Sequence, residues 1–324
     1  MTGSIAVVVI GRNEGARLMA CLASVQERVE GLVYVDSGSS DNSVAVAVSA
    51  GAQIVRLDLA RPFTAARARN AGVAALEATG LTPDYIQFVD GDCALAPNWM
   101  DHAQAFLDAT PKAAVVCGRR RERFPENSVY NRLCDREWDT PIGRARACGG
   151  DSLMRRSAFV AAGGFRDDLI AGEEPELCVR LRAADWEIWR IDAEMALHDA
   201  AINQFGQWWT RTRRGGFAAA QGMALHGVPP ERHGVAQTRR ALLWGLVLPA
   251  AAFLGCLIIP WALALFVAYP AQVIRLALRK GGRRGDWEEA FFLTIGKFPE
   301  ALGFITFAFG RLNGNIKLGL IEYK

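Results

Sequence analysis

Between Ala241 and Ile274 the chain carries no charged residue, a run of 34 positions. A soluble helix needs a polar face, and this stretch offers none. One bilayer span takes about 20 residues, so the run is too long for one helix and barely enough for two. Arg239 and Arg240 precede it, and Arg275, Arg279, Lys280, Arg283 and Arg284 follow it. Basic residues on both flanks predict that both ends lie on the cytoplasmic side. The expected structure is a membrane helical hairpin over 236–280 that turns near Pro260-Trp261. The tail, 281–324, alternates apolar clusters with Glu288, Glu289, Lys297, Pro299 and Glu300. That pattern predicts an amphipathic helical region lying along the interface.

The segment before the hairpin, 1–235, reads as an α/β domain. Ser4-Ile5-Ala6-Val7-Val8-Val9-Ile10 is a continuous apolar run, as in a strand buried on both faces. Leu32–Val35, Gln53–Leu57, Tyr85–Val89 and Ala113–Cys117 read as further strands. Helical segments near 15–28, 64–79 and 98–107 fall between them. Strands alternating with helices predict a largely parallel, doubly wound sheet. Beyond residue 127 the pattern is less regular: a short strand at Ser152–Met154, a helix opening at Gly172-Glu173-Glu174-Pro175, and strands near Glu187–Ile191 and Met195–His198. There is no Gly-x-Gly-x-x-Gly after the first strand, so the dinucleotide-binding fingerprint is absent. A net charge of +3 gives no footprint for nucleic acid. The seven cysteines are dispersed, with no Cys-x-x-Cys pair, which argues against zinc and redox motifs and for reduced thiols. Met1-Thr2-Gly3-Ser4 lacks a basic n-region, so no signal peptide is expected.

Two strands end on acid. Val35 is followed by Asp36, and Val89 by Asp90-Gly91-Asp92. In an open α/β sheet, ligands bind at the carboxyl ends of the strands. Two carboxylates one residue apart offer hard oxygen ligands to a divalent cation such as Mg²⁺ or Mn²⁺, which carries bound phosphates with it. Asp92 is the expected metal ligand, with Asp90 on the nucleotide ribose or on the metal's water.

These features resemble the inverting family 2 glycosyltransferases with the GT-A fold, a Rossmann-like, doubly wound mixed sheet. The resemblance rests on Val8-Val9-Ile10 with Arg12-Asn13-Glu14, on Val35-Asp36-Ser37-Gly38-Ser39-Ser40-Asp41, and on Ala66-Arg67-Ala68-Arg69-Asn70-Ala71-Gly72. Val89-Asp90-Gly91-Asp92, Gly163-Gly164-Phe165 and Gly172-Glu173-Glu174-Pro175-Glu176-Leu177 with Arg180-Leu181 complete it. The motifs lie in order over about residues 4–200. The membrane run is similar to that of membrane-attached members that build bacterial surface glycans.

The resemblance implies a nucleotide-sugar donor, with Glu14 and Asp36 on the nucleotide and Arg69 beside its phosphates. Arg67 and Arg69 are two apart and do not share a helix face, so at most one is expected to reach phosphate. Asp151, in Gly149-Gly150-Asp151, is expected to line the donor sugar or acceptor. The family's general base is the second residue of a Glu-Asp pair. Here the pair is Glu173-Glu174, so Glu174 is the expected base, one methylene longer than the family's aspartate. His198 is expected as an additional metal ligand. Gln207-Trp208-Trp209-Thr210-Arg211 does not match the Gln-x-x-Arg-Trp motif of processive synthases, which argues for single transfer.

The expected function is metal-dependent, inverting sugar transfer to a lipid-linked or saccharide acceptor, in surface glycan biosynthesis. The expected place is the cytoplasmic face of a bacterial inner membrane, with membrane lipids as partners and no nucleic acid. Two rivals remain at this point: a nucleotidyltransferase on a similar sheet, and a non-catalytic membrane scaffold. Gly11-Arg12-Asn13-Glu14-Gly15 is a poor phosphate loop for the first, and intact Asp92 and Glu174 speak against the second.

Overall fold

Alternation within each apolar run decides which side of a sheet each residue meets. In β1 (Ile5–Gly11), Val7 and Val9 point to one face, while Ala6 and Val8 point to the other, and all four are fully buried. A strand buried on both faces needs helices on both, and the chain supplies them. A computed structural model describes residues 3–25 and 29–314. One core, with Val7, Val9, Tyr34 and Val89, packs under α1 (Ala16–Ala23), α2 (Ser43–Ser49) and α4 (Trp99–Ala109). The other, with Ala6, Val8, Val35 and Phe88, packs under α3 (Ala65–Ala78), α6 (Arg156–Ala161) and α7 (Glu173–Ala183). The remaining helix of this unit, α5 (Val129–Glu137), follows the strand Ala113–Glu122.

The sheet is mixed. β2 (Gly31–Asp36), β3 (Gln53–Arg56) and β4 (Tyr85–Asp90) run parallel to β1 in the order β3-β2-β1-β4. β8 (Ser152–Arg155) then pairs antiparallel with both β4 and β6 (Ala113–Glu122). β9 (Glu187–His198) runs parallel to β6, and β5 (Cys93–Leu95) and β7 (Gly143–Ala145) pair antiparallel with β9. Two departures from the sequence reading matter. The expected separate segments Glu187–Ile191 and Met195–His198 are one 12-residue strand. The fifth strand runs past Cys117 to Glu122; its charged end, Arg119 to Glu122, is held by ion pairs rather than by apolar burial.

The register gathers strand ends. Ile10 lies beside Asp90 and Gly11 beside Asp36, so the carboxyl ends of β1, β2 and β4 stop at one level. α3 lies close against β1 because Gly72 has no side chain: a Cβ there would stand 2.3 Å from Val8 Cγ1. That approach brings Arg69, one helical turn earlier, to the same sheet edge.

The chain divides into two compact units, Met1–Ala201 and Ile202–Lys324. The boundary falls earlier than the expected 235, because α8 (Phe205–His226) packs with the C-terminal helices. Glycines make that packing close. A Cβ on Gly303 would stand 2.1 Å from the carbonyl oxygen of Arg213, and one on Gly216 2.2 Å from that of Glu300. The backbones therefore touch where two helices cross, which any side chain would prevent. Gly303→Leu should separate them and cost about 3 kcal/mol or more, the upper range for overpacking; a fall in the thermal midpoint of the detergent-solubilised chain measures it.

Three helices of the second unit, Val235–Cys256, Pro260–Lys280 and Arg284–Leu312, are long and apolar enough to cross a membrane by length and composition. The first two cover the segment for which a hairpin is expected. At their connection Leu257, Ile258 and Trp261 are 83–85% exposed, an apolar tip that water would not tolerate as a contiguous patch. The third covers the tail expected to lie along the interface. It is more enclosed than the others, with 39% of its most apolar stretch buried against 11% and 6%. Positions 315–324 of that tail lie outside the described residues.

Candidate active site

The site begins with a single buried cation. Arg69 is 2% exposed. Its Nη2 donates to Asp90 Oδ1 at 2.7 Å and its Nη1 to Glu173 Oε1 at 2.6 Å. Burial by itself would push the Asp90 carboxyl up, but the guanidinium of Arg69, and then that of Arg120, outweigh it and hold the group below the usual carboxylate range. Arg67 takes a different course. Its guanidinium turns to the carbonyls of Asp58, Arg61 and Pro62, as the two-residue spacing on one helix requires.

Asp151 ties this network to the next strand. It is fully buried. Its Oδ1 accepts from the backbone N–H of Asp90 at 2.9 Å, and its Oδ2 accepts from Cys93 Sγ at 3.1 Å and from Arg120 Nη1 at 3.2 Å. Asp151 is thus a structural member of the site floor, locking the direction in which Asp90 leaves its strand. Gly150 leaves room for this: a Cβ there would stand 2.5 Å from Arg69 Nη2.

His198 reaches Asp92 through pairing of β5 with β9, which sets Cys93 opposite His198. His198 Nε2 lies 3.4 Å from Asp92 Oδ1, and both residues are buried. On the other ring edge, Nδ1 makes no hydrogen bond, and Glu122 Oε2 lies 3.8 Å away. The ring packs edge-on against Trp138, at 4.7 Å between centroids, and Trp138 in turn carries Arg120 over its face at 4.3 Å. A carboxylate oxygen and an imidazole nitrogen held this close, inside protein, form a donor set that fits a divalent cation. Asp92 and His198 are the residues that would hold it.

Glu14 and Asp36 stand at the ends of β1 and β2. Glu14 Cγ lies over Gly91, where a Cβ would stand 3.1 Å from it, and its carboxylate pairs with Arg17 at 2.8 Å. Asp36 accepts from the N–H groups of Gly38 and Ser39 at 3.1 Å. It therefore shapes the Ser37–Ser39 loop.

Consecutive residues on a helix point about 100° apart, so the two glutamates at the start of α7 diverge. Glu173 goes to Arg69. Glu174, 4% exposed, accepts at Oε1 from the Cys148 N–H at 2.6 Å and from the Cys148 and Cys178 thiols, each at 2.9 Å. None of these three contacts falls on Oε2. The family motif points to Glu174 but carries no hint of its two cysteine neighbours. Arg120 and Trp138 also escape sequence reading, although a row of charges continuing a buried strand, Arg119 to Arg123, is a signal that such side chains have partners.

The model for Glycosyl transferase family 2 matches residues 6–169, half of the chain. The chain belongs to glycosyl transferase family 2. This glycosyltransferase shares its fold with the mannosyltransferase PcManGT from Pyrobaculum calidifontis, solved with GDP-Man and Mn²⁺: the TM-score is 0.64 at 15% identity, over 94% of this chain and 88% of that one. S. aureus TarS 1–349, in complex with UDP-GlcNAc, aligns with a TM-score of 0.50 at 11% identity, over 96% of this chain and 92% of that one. Both are GT-A glycosyltransferase folds, which makes this mixed sheet a GT-A sheet. A TPR repeat-containing protein of Synechococcus elongatus is 36% identical over 129 residues. That match takes in 40% of this glycosyltransferase and spans 30% of the relative's length.

The Arg69 clamp makes a prediction about stability. A carboxylate whose folded pKa is depressed stabilises the fold above its unfolded pKa, and that stabilisation is lost as pH falls through the folded pKa. Asp90 should therefore contribute fully at neutral pH. Arg69→Met leaves Asp90 and Glu173 without their cation and should cost about 3 kcal/mol at pH 7, the low end for breaking a buried pair, because the Asp90 side chain keeps 30% exposure. The gap between wild type and variant in thermal unfolding should narrow as pH falls below about 4, between the unfolded and the lowered folded pKa of Asp90. A gap that is independent of pH would mean that lost packing, not charge, sets the cost.

Proposed function

We propose that this glycosyltransferase is metal-dependent and inverting, and that it moves a hexosyl-type sugar from a nucleotide donor to a lipid-linked acceptor at the cytoplasmic membrane face. The observation that carries the reading is the Asp92–His198 pair at the carboxyl edge of the sheet, beside the Asp90–Arg69–Glu173 clamp. When bound, a divalent cation supplies positive charge to the diphosphate that leaves with the nucleotide. Asp92 and His198 would hold it. Asp90, fixed by Arg69 and by Asp151, would orient the donor. Glu14 and Asp36, at neighbouring strand ends, would meet the nucleoside.

Inversion needs one base to take the acceptor hydroxyl proton while the sugar is attacked from the far face. Glu174 is that base in this reading, with its proton taken at Oε2. PcManGT was solved with a nucleotide sugar and Mn²⁺ and TarS with a nucleotide sugar, and the donor class proposed here is the same. The uncharged run and its basic flanks support a membrane site, with both ends of the hairpin cytoplasmic, and a bacterial surface glycan as the product's destination.

The test is a panel of nucleotide sugars offered to the full-length chain in detergent, with polyprenyl-phosphate acceptors, with and without Mn²⁺. Release of the nucleoside diphosphate with formation of a glycosylated lipid, abolished by chelator, supports the reading. Release of pyrophosphate would favour the nucleotidyltransferase. Cation-independent turnover would remove the metal from the mechanism.

A further inference from the structure

We propose that Cys148, Glu174 and Cys178 form a second cation site, selective for thiophilic ions of the Zn²⁺ class. The three come from two parts of the chain. Cys148 sits in the loop that leads to Gly149-Gly150, while Glu174 and Cys178 lie one turn apart on α7. Glu174 Oε1 is 2.9 Å from each sulfur, and the sulfurs are 3.9 Å apart. Two sulfurs bound at about 2.3 Å to one tetrahedral centre stand about 3.8 Å from each other. The sulfur–sulfur spacing already present is the one that such an ion needs, Glu174 Oε1 would draw back from each sulfur by about 0.6 Å to reach a tetrahedral oxygen–sulfur separation of about 3.5 Å, and all three donor atoms fall within 4.8 Å of one another.

Charge supplies a second, independent argument. Glu174 is buried, and among the described residues no ion pair reaches it. Its partners are a backbone N–H and two thiols, all neutral. Buried charges are normally paired with a cation or bound to a metal. A divalent ion would satisfy the carboxylate, with each thiol releasing its proton to solvent as its sulfur becomes a ligand. Cys148 is only partly buried.

The chemistry also separates this site from the Asp92–His198 pair. Thiolates favour Zn²⁺ and its soft relatives, whereas carboxylates and water suit Mg²⁺ and Mn²⁺. The two sites would sort cations by type. The site has a functional consequence, which rests on Glu174 being the base: an ion held on Glu174 would take that base out of the reaction, so thiophilic cations would inhibit transfer.

Co²⁺ is the probe, because thiolate ligation gives it a charge-transfer absorption that oxygen ligation does not. The reduced, metal-free, full-length chain in detergent should show this band, saturating at one equivalent, and Zn²⁺ should bleach it. The double variant Cys148→Ser/Cys178→Ser should lose the band while Mn²⁺ binding, followed by electron paramagnetic resonance, persists as a control for folding. Absence of the band in wild type, or its survival in the double variant, overturns the site. The inhibition is read separately: one equivalent of Zn²⁺ should lower transfer at least tenfold in wild type. A bound ion with undiminished transfer would leave the site standing and remove Glu174 as the base.

Discussion

Asp92→Asn should lower turnover to background and weaken Mn²⁺ binding by more than a hundredfold. The argument is chemical. An amide oxygen carries no formal charge and is a poor ligand for a hard cation. Altering a partner of a metal ligand already costs 10–100-fold in affinity, and Asp92 is itself the ligand in the proposed site. The fold should not notice. Asp92 lies beyond the last paired residue of β4, and a near-isosteric replacement keeps the shape of the turn. Mn²⁺ titration by electron paramagnetic resonance, with a thermal unfolding control, measures both. Full turnover in the variant, with saturating donor and normal cation affinity, would sink the assignment.

Glu174→Gln should cut the transfer rate by about 10²–10⁴, the range for losing a general base, while KM for the donor stays near the wild-type value. Gln keeps an acceptor oxygen for the Cys148 N–H, so the loop should hold its place. Glu173→Gln should act differently. It weakens one arm of the Arg69 clamp and so loosens Asp90, which raises the donor KM more than it lowers kcat. The two variants together read out the divergence seen at the start of α7. If Glu173→Gln is the inactive protein and Glu174→Gln turns over normally, the base belongs to the glutamate that faces Arg69.

Much of this architecture was legible in the sequence because it rests on local rules. The apolar runs at 5–10, 32–35 and 85–89 are strands in any context that buries both faces. Acidic residues at their ends could be placed at the sheet's functional edge from topology alone. The GT-A sheet could be expected from ordered motifs, each weak and together specific. What stayed hidden depends on pairing at long range. Nothing near Cys148 announces that Cys178 lies 3.9 Å away; that contact exists only because α7 returns to the loop before β8. The Arg120–Trp138–His198 stack likewise joins three segments with no common motif. The compact units divide at Ala201 and not near 235, and α8, with its mixed composition, has no sequence mark of belonging to the C-terminal helices. Its allegiance is set by glycines that matter only once the partner helix is in place.

The charges around Arg69 also bear on the order in which ligands enter. Four carboxylates, Asp90, Asp92, Asp151 and Glu173, converge with two guanidiniums, those of Arg69 and Arg120. At neutral pH that cleft carries an excess of two negative charges and repels a free nucleoside diphosphate. One divalent ion removes the excess. In the proposed reaction the donor would therefore arrive after its cation or already complexed with it, and uncomplexed nucleotide sugar would be a poor competitor. Steady-state kinetics would register this as an ordered sequence, with rising cation concentration lowering the apparent KM for the donor while the limiting rate at saturating donor stays fixed.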